Sequence, residues 1–130
     1  MIGSWIVSKL GTLPELGGQV WPIASPVGSA APPFCIFSPQ RSTPTLDLSG
    51  AVVFRTGTVK ITIFDDDYDR LSALSAAAEA ALSVQQTAAA GGYIFSADVQ
   101  QAEPDSFDLT VELLCRTLLV TVRYWRDTDG

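Results

Sequence analysis

The chain has 130 residues, of which 47% are hydrophobic, and a formal net charge of −6. A chain of this length is expected to form one domain that buries roughly two-thirds of the surface its unfolded form exposes. Because phosphate binding needs a basic surface and only eight Lys and Arg are present, the charge argues against a nucleic-acid-binding protein. It leaves open a channel through which nucleic acid passes without binding.

No run of 18 apolar residues occurs, so no membrane-spanning helix is predicted. The N-terminus lacks a basic leader followed by a long apolar run, so it does not read as a secretory signal, and a cytoplasmic protein is the default expectation. Cys35 and Cys115 both lie in apolar, strand-like runs. Buried reduced thiols are the favoured interpretation, with a disulfide left open if the two strands are neighbours.

The first thirty residues predict a short helix and then a long loop. Residues Ile2 to Leu13 have an amphipathic pattern, with Gly11 as the terminator. The segment from Leu13 to Pro33 holds five prolines and three glycines, which favours a loop over the body of the domain, pinned by Trp21. A loop of this length in a small domain is often functional.

Residues 34–65 predict a long β-hairpin arm. Pro33 to Ser38 is a short apolar run, the polar segment from Pro39 to Pro44 is expected to break regular structure, and Ala51 to Phe64 returns as a second strand. This reading places Arg41, Ser42 and Thr43 at the tip of the hairpin. Hairpin tips often contact partners.

The periodicity then changes from two to about 3.6, which predicts a strand that runs directly into a helix. Val59, Ile61 and Ile63 alternate with polar residues, as on a half-buried strand. The predicted central helix covers residues 66–90, with its end anywhere from Ser83 to Ala90. Its apolar residues recur at spacings of three and four, and they are Tyr68, Leu71, Leu74, Ala78 and Leu82.

Four aspartates, Asp65, Asp66, Asp67 and Asp69, lie where this helix begins. Carboxylates there accept hydrogen bonds from the first-turn N–H groups and meet the positive end of the helix dipole. Asp66 and Asp69 have the spacing of a capping box. Clustered oxygens also suit calcium or magnesium, but the glycine and the terminal glutamate of an EF-hand loop are missing. Capping is therefore the favoured interpretation, and no metal site is predicted.

The C-terminal part predicts further strands. Tyr93 to Gln100 is one, and Phe107 to Leu113 and Leu118 to Tyr124 alternate with opposite parity, which predicts a bulge or break between Leu114 and Thr117. Residues 126–130 are expected to fray. The element order α-β-β-α-β-β predicts an α+β domain: a mostly antiparallel sheet of about four strands, packed by the central and N-terminal helices.

No catalytic, cofactor-binding or metal-binding residue is predicted. The sequence has no histidine, which removes the commonest general base and the commonest zinc ligand. Gly91-Gly92 precedes a strand, whereas a phosphate-binding loop follows one. Glu103, Asp105 and Asp108 fit a solvated turn better than a catalytic pair. We therefore expect a protein that is not an enzyme.

Four segments together carry a family resemblance: KLGTLPELGGQVWP, APPFCIFSP, TVKITIFDDDYDRLSALSAAAEAAL and RTLLVTVRYW. Their order and spacing resemble the tail terminator (tail completion) proteins of long-tailed bacteriophages and phage-like particles. The resemblance implies a hexameric ring that caps the tail-tube protein, stops tail elongation and docks to the head–tail connector or stopper protein. It also implies assembly in the host cytoplasm and a location at the tail–head interface of the virion, with DNA passing through the lumen without specific binding.

Exposure arguments select five residues for ring or tail-tube contacts. Three are the predicted tip residues Arg41, Ser42 and Thr43, and two are Arg123 and Trp125 on the last strand. Because Tyr124 and Trp125 are adjacent in a strand, one of them faces away from the core, either toward a partner or under the N-terminal helix.

Three alternative interpretations remain at this point. One is a head-completion or connector ring protein of the same particle. Another is a small cytoplasmic ligand-binding or enzymatic domain, which would need an apolar pocket with convergent polar groups. The third is a stand-alone toxin-like or regulator-like domain, which would be monomeric or dimeric.

Overall fold

The computed structural model describes residues 2–16, 19–22, 31–89, 91–110 and 112–127. Two helices and seven strands account for most of them. The helices are α1 (Ile2–Leu10) and α2 (Tyr68–Leu82), and a 3-10 turn spans Pro14–Leu16. The strands are β1 (Val20–Pro22), β2 (Phe34–Leu46), β3 (Val52–Asp65), β4 (Val84–Ala89), β5 (Gly92–Gln101), β6 (Ser106–Asp108) and β7 (Leu113–Arg126).

The seven strands form one mixed sheet in the order β1-β2-β3-β7-β5-β4, with β6 paired to β7. β1 runs parallel to β2, and every other pairing is antiparallel. The prediction of an α+β domain with about four mostly antiparallel strands is therefore wrong. The chain is mostly sheet, because Val20–Pro22 and Val84–Ala89, which were predicted as loop and helix, also pair as strands.

The core lies on one face of this sheet, under both helices. Alternate residues of the central strands β3 and β7 point to that face, since side chains in a strand alternate with a period of two. Both helices pack their apolar sides onto it. The principal buried residues are Trp5, Ile6, Leu10, Val59, Ile61, Ile63, Leu71, Leu74, Ala78, Leu82, Val120 and Val122. The opposite face, which we call the open face, carries no helix among the described residues.

Helix α1 and the 34–65 hairpin agree with the sequence prediction. α1 ends at Leu10, and Gly11 follows as its terminator, its N–H donating to the Val7 carbonyl at 2.8 Å. In the hairpin, β2 pairs with β3 from Phe34↔Phe64 to Leu46↔Val52. The predicted loop after α1 contains the short strand β1, where Trp21 lies 5.9 Å from Phe34 between ring centroids.

The central helix is shorter than predicted. It ends at Leu82, with Ser83 as an extended C-cap, and Val84–Ala89 forms the edge strand β4; residue 90 lies outside the described residues. Alanine favours helix, but Val84–Ala89 pairs along β5 and gains a ladder of hydrogen bonds instead. Gln86 has a φ of +52°, a conformation in which a helix cannot continue.

The change of parity near residue 114 has a different cause from the predicted bulge. β7 is continuous from Leu113, and its pairing with β3 has no shift. The chain instead turns between β6 and β7, where Glu112 has a φ of +56°. Phe107 and Leu113 therefore belong to two strands of a tight hairpin. Of the predicted frayed tail 126–130, Arg126 ends β7, and residues 128–130 lie outside the described residues.

The two cysteines are free thiols, so no disulfide joins them. Cys35 pairs with Ile63 and Cys115 with Phe64, on opposite sides of β3. Because adjacent residues of β3 face opposite sides of the sheet, the two thiols also do. Burial raises the pKa of the Cys35 thiol to about 12.

Candidate assembly surface

The hairpin continues past the body of the sheet as an arm, residues Pro44 to Arg55. The last residue of β3 that pairs with β7 is Arg55, which lies opposite Tyr124. From there to Gly50 the arm projects roughly 15 Å, at the usual rise of a strand. Residues 41–51 are all exposed. The arm therefore presents both its edge and its end to solvent or to a partner.

The tip of the arm is an ordered turn closed by Asp47. Its Oδ1 accepts hydrogen bonds from the Ser49 N–H at 2.8 Å, the Ser49 hydroxyl at 2.6 Å and the Ala51 N–H at 3.0 Å. The hydrogen bond from the Ser49 hydroxyl and those from the backbone hold the pKa of this carboxyl group below its ordinary value. Gly50 adopts a φ of +87°, which favours glycine.

Arg41, Ser42 and Thr43 are not at this tip, so that part of the prediction is wrong. They lie within β2, opposite Thr58, Gly57 and Thr56 respectively. Pro39 and Pro44, read as breakers in the sequence, are accommodated because β1 covers only Cys35 to Phe37 and leaves the rest of the outer edge of β2 without a neighbouring strand among the described residues.

The structure does bring four of the five predicted contact residues onto the open face. Thr43, Thr56, Arg123 and Ser96 form one row across four strands, and Arg41 begins the next row beside Thr58. Trp125 lies opposite Tyr93, one row toward the arm, and is half-buried. Ser42 alone faces the helices.

Ser42 and Tyr124 belong to the packing under α1. The Ser42 and Tyr124 hydroxyls are 2.8 Å apart, and Tyr124 is buried. Gly57 lies between them and α1: a Cβ there would be 3.0 Å from Ile2 Cδ1 and 3.2 Å from Tyr124 Cε1. Of the two adjacent aromatic residues on β7, Tyr124 therefore packs in the core and Trp125 lies on the open face.

The arm end of the open face has an apolar cavity that the sequence analysis missed. It has a volume of about 250 Å³ and is lined by Val53, Phe54, Phe95 and Arg123. The ring centroids of Phe54 and Phe95 are 6.4 Å apart, and those of Tyr93 and Phe95 are 5.3 Å apart. The cavity is therefore a shallow aromatic pocket with a guanidinium group at its side.

A β-bulge creates this pocket. Ile94 pairs with Tyr124 and Ser96 with Arg123, so Phe95 is the extra residue of β5. A bulge bends its strand and redirects a side chain, and here it leaves the Phe95 ring 41% exposed on the open face. The strand predicted from Tyr93 to Gln100 did not include this bulge.

Leucine and valine side chains are also exposed along the arm. The relative exposure is 54% for Leu46, 48% for Val53 and 110% for Leu48 in the turn. Leu48 is therefore fully exposed to solvent. Exposed apolar groups that cluster in this way often mark protein interfaces.

The acidic cluster before α2 caps the helix, as predicted, but through a different residue. Asp67 is the N-cap, and its Oδ1 accepts from the Asp69 and Arg70 N–H groups at 2.9 and 3.2 Å. The predicted box of Asp66 and Asp69 does not supply the cap. No group of three potential metal ligands occurs among the described residues.

Asp65 is a buried carboxylate that is bound by Arg70. The Arg70 Nε donates to Asp65 Oδ2 at 2.7 Å, and an η nitrogen donates to Oδ1 at 2.6 Å. The Asp66 N–H also donates to Oδ1, at 2.7 Å. Burial opposes ionisation, but the hydrogen bonds from Arg70 and the backbone hold the pKa of Asp65 below its ordinary value.

The second acidic group consists of ion pairs that fix the end of the sheet. Arg116 binds Asp105 through two hydrogen bonds of 2.9 and 2.7 Å, which lower the pKa of Asp105. The Arg116 guanidinium also lies 5.8 Å from the centroid of the Tyr68 ring. Lys60 pairs with Glu103 at 2.7 Å. These contacts link β3 and β7 to the segment between β5 and β6.

Charge is unevenly distributed along the sheet. Residues 65–70 and 103–116, at the end away from the arm, hold eight acidic and two basic side chains. Residues 41–58 and 91–98 together with 121–127, toward the arm, hold four basic and three acidic ones. The two ends of the molecule therefore differ in electrostatic potential.

Comparison with solved structures shows a shared fold. No protein-family model and no curated protein matches the chain. Among solved structures, a chain described as "Virion of native gene transfer agent (GTA) particle" matches with a TM-score of 0.76. The match covers 95% of this chain and 93% of that chain at 17% sequence identity. The two chains therefore share a fold over nearly their whole lengths. No helix of the described residues is long and apolar enough to span a bilayer.

Proposed function

We propose that this protein is a structural component of a phage-like virion, and more specifically a tail terminator that forms a ring on the last layer of the tail tube. The observation that carries the proposal is the shared fold with a chain of the gene transfer agent virion, over 95% of this chain. The order of the four sequence segments described above supports the narrower assignment to the tail terminators.

The geometry suits a subunit that works through contacts between proteins. The arm and the cavity expose apolar side chains to solvent in the single subunit, and exposed apolar patches often mark protein interfaces. In the proposed ring of six copies, these surfaces meet a neighbouring subunit, the tail-tube protein or the head–tail connector. Arg41, Thr43, Arg123 and Trp125 are then contact residues, since they share the open face. Ser42 acts only within the subunit, through Tyr124.

Charge supports a passive role toward DNA. A ring of subunits with a formal charge of −6 each repels phosphate groups, so DNA moves through the lumen without binding. In this proposal the protein has no catalytic residue, needs no cofactor, and lies at the tail–head interface of the particle.

Two measurements on the purified protein test the proposal. Light scattering over a range of concentrations gives the mass, for which we expect a species near six times 13.8 kDa. Electron microscopy after mixing with tail tubes of the same particle should show density at one end of each tube. Binding to DNA-filled heads and not to tubes would favour the head-completion or connector alternative. A constant dimer that binds neither would refute both.

A further inference from the structure

The most exposed apolar side chain of the described residues lies at the tip of the arm. Leu48 has a relative exposure of 110% and follows Asp47, whose Oδ1 closes the turn. The turn is held by three hydrogen bonds to that oxygen atom, so Leu48 is presented on a fixed support. A rigidly presented apolar side chain loses little entropy when it enters a pocket.

The apolar cavity on the open face is a suitable receptor for one side chain. Its volume of about 250 Å³ is smaller than the roughly 300–1,000 Å³ of typical small-molecule sites. Aromatic rings of Phe54 and Phe95 line it, and it is open toward solvent. A branched aliphatic side chain matches both the size and the apolar lining.

Leu48 does not fill the cavity of its own chain, because it is fully exposed and is not among the residues that line the cavity. The lining residue Phe54 pairs with Thr45, three residues before Leu48 on the arm. The paired strands of the hairpin and the three hydrogen bonds to Asp47 hold Leu48 at the tip, beyond that pair. The side chain and the cavity can therefore meet only between two molecules.

Charges beside the two features are complementary. Asp47 precedes Leu48, is exposed, and uses Oδ1 for the three side-chain bonds described within its turn, none of which involves Oδ2. Arg123 lines the cavity and is 49% exposed, and its printed polar contacts are both long: a hydrogen bond of 3.4 Å to the Ser96 hydroxyl and a contact of 3.8 Å with Asp98. A carboxylate that arrives with the leucine can pair with this guanidinium group.

We infer that the arm of one copy inserts Leu48 into the cavity formed by Val53, Phe54, Phe95 and Arg123 of a second copy, with Asp47 paired to Arg123. A second copy is the favoured occupant because every subunit carries one tip and one cavity. The charges beside them, on Asp47 and Arg123, are opposite in sign. The two halves are different surfaces, so the contact is head-to-tail and can repeat around a ring. This inference rests on the ring of the proposed function and specifies how its subunits join.

Cysteine cross-linking tests the contact directly. Leu48→Cys and Phe95→Cys are made as separate proteins, mixed under mild oxidation, and analysed on a non-reducing gel with peptide mapping. We expect a disulfide between position 48 of one copy and position 95 of another, formed faster than in either protein alone. Cross-links that join position 48 only to position 48 would overturn the inference, since they indicate contact between tips. Absence of any cross-link would overturn it as well.

A charge substitution separates this contact from the ring itself. Leu48→Asp should weaken self-association roughly tenfold to a hundredfold, as expected for loss of a buried anchor. Leu109→Asp is the matched control, because Leu109 is 83% exposed but lies on the β6–β7 turn, and it should leave self-association unchanged. A ring-sized mass that survives Leu48→Asp would refute the contact and leave the ring proposal standing. A wild-type protein without any ring would refute the ring by its mass alone.

Discussion

Replacing Asp65 with asparagine should destabilise the fold at neutral pH and do so much less in acid. The side chain of Asp65 has no exposed surface, and Arg70 binds both of its oxygens. Asparagine keeps one acceptor for the Asp66 N–H, but its amide nitrogen then faces the Arg70 Nε, so a charge-assisted hydrogen bond is lost and two donors meet.

The size of the effect follows from these contacts. Removing one partner of a buried ion pair costs about 3–5 kcal/mol of unfolding free energy. Because the Arg70 side chain is 41% exposed and water can solvate it, we expect the lower end of this range or less, about 2–3 kcal/mol. The free energy comes from urea denaturation at pH 7, at one fixed protein concentration because assembly adds to apparent stability.

Asp66→Asn is the matched control. Asp66 also accepts from Arg70, at 2.9 Å, but its side chain is 62% exposed, so its loss should cost less than about 1 kcal/mol. Since the folded-state pKa of Asp65 is lowered, its stabilisation is present above its unfolded pKa of about 3.9 and is lost as the pH falls through the folded value. Equal costs for the two variants at pH 7, or an Asp65→Asn cost that stays constant down to pH 2, would refute the reasoning.

Three further predictions concern glycines and thiols. Gly57→Ala should lower the free energy of unfolding by about 1–3 kcal/mol through overpacking against Ile2 and the Tyr124 ring, and pairing it with Ile2→Ala should recover part of the loss in thermal denaturation. Gly50→Ala, with open space around it but a φ of +87°, should cost about 1–2 kcal/mol, and no second-site truncation should rescue it. In a thiol-reagent assay at pH 8 the buried Cys35 should react only on unfolding, whereas the half-buried Cys115 should react in the native protein; equal rates would contradict the burial of Cys35.

The parts of the fold that the sequence predicts correctly are those with a strong local pattern. The alternation from Val59 to Ile63 and the 3.6 period from Leu71 to Leu82 each bury one face of a long element, so local pattern and tertiary packing agree. The segments predicted wrongly are short or compositionally ambiguous. Val84–Ala89 has the residues of a helix, yet it is a strand because β5 offers it a free edge.

The assembly surface is only partly visible in the sequence. Arg41, Thr43, Arg123 and Trp125 were chosen for exposure, and the sheet register brings them onto one face, but their role as contacts stays a prediction. The prediction of Arg41, Ser42 and Thr43 at a hairpin tip was wrong because proline was taken as a breaker, whereas the outer edge of a sheet needs no N–H donor at that place. The cavity depends on the extra residue Phe95, and the run from Tyr93 to Phe95 is apolar throughout, so no change of alternation marks this bulge in the sequence.

The two prolines on the outer edge of β2 also bear on the life of the subunit before it assembles. A long strand with one unpaired side is a template on which other chains can add, and such growth ends in aggregates. Pro39 and Pro44 each remove a donor from that side and interrupt the ladder a stray strand would need. The exposed arm is therefore protected from strand addition by other chains before the subunit assembles. Replacing both prolines with valine should leave the fold intact and shorten the time for which concentrated protein stays clear.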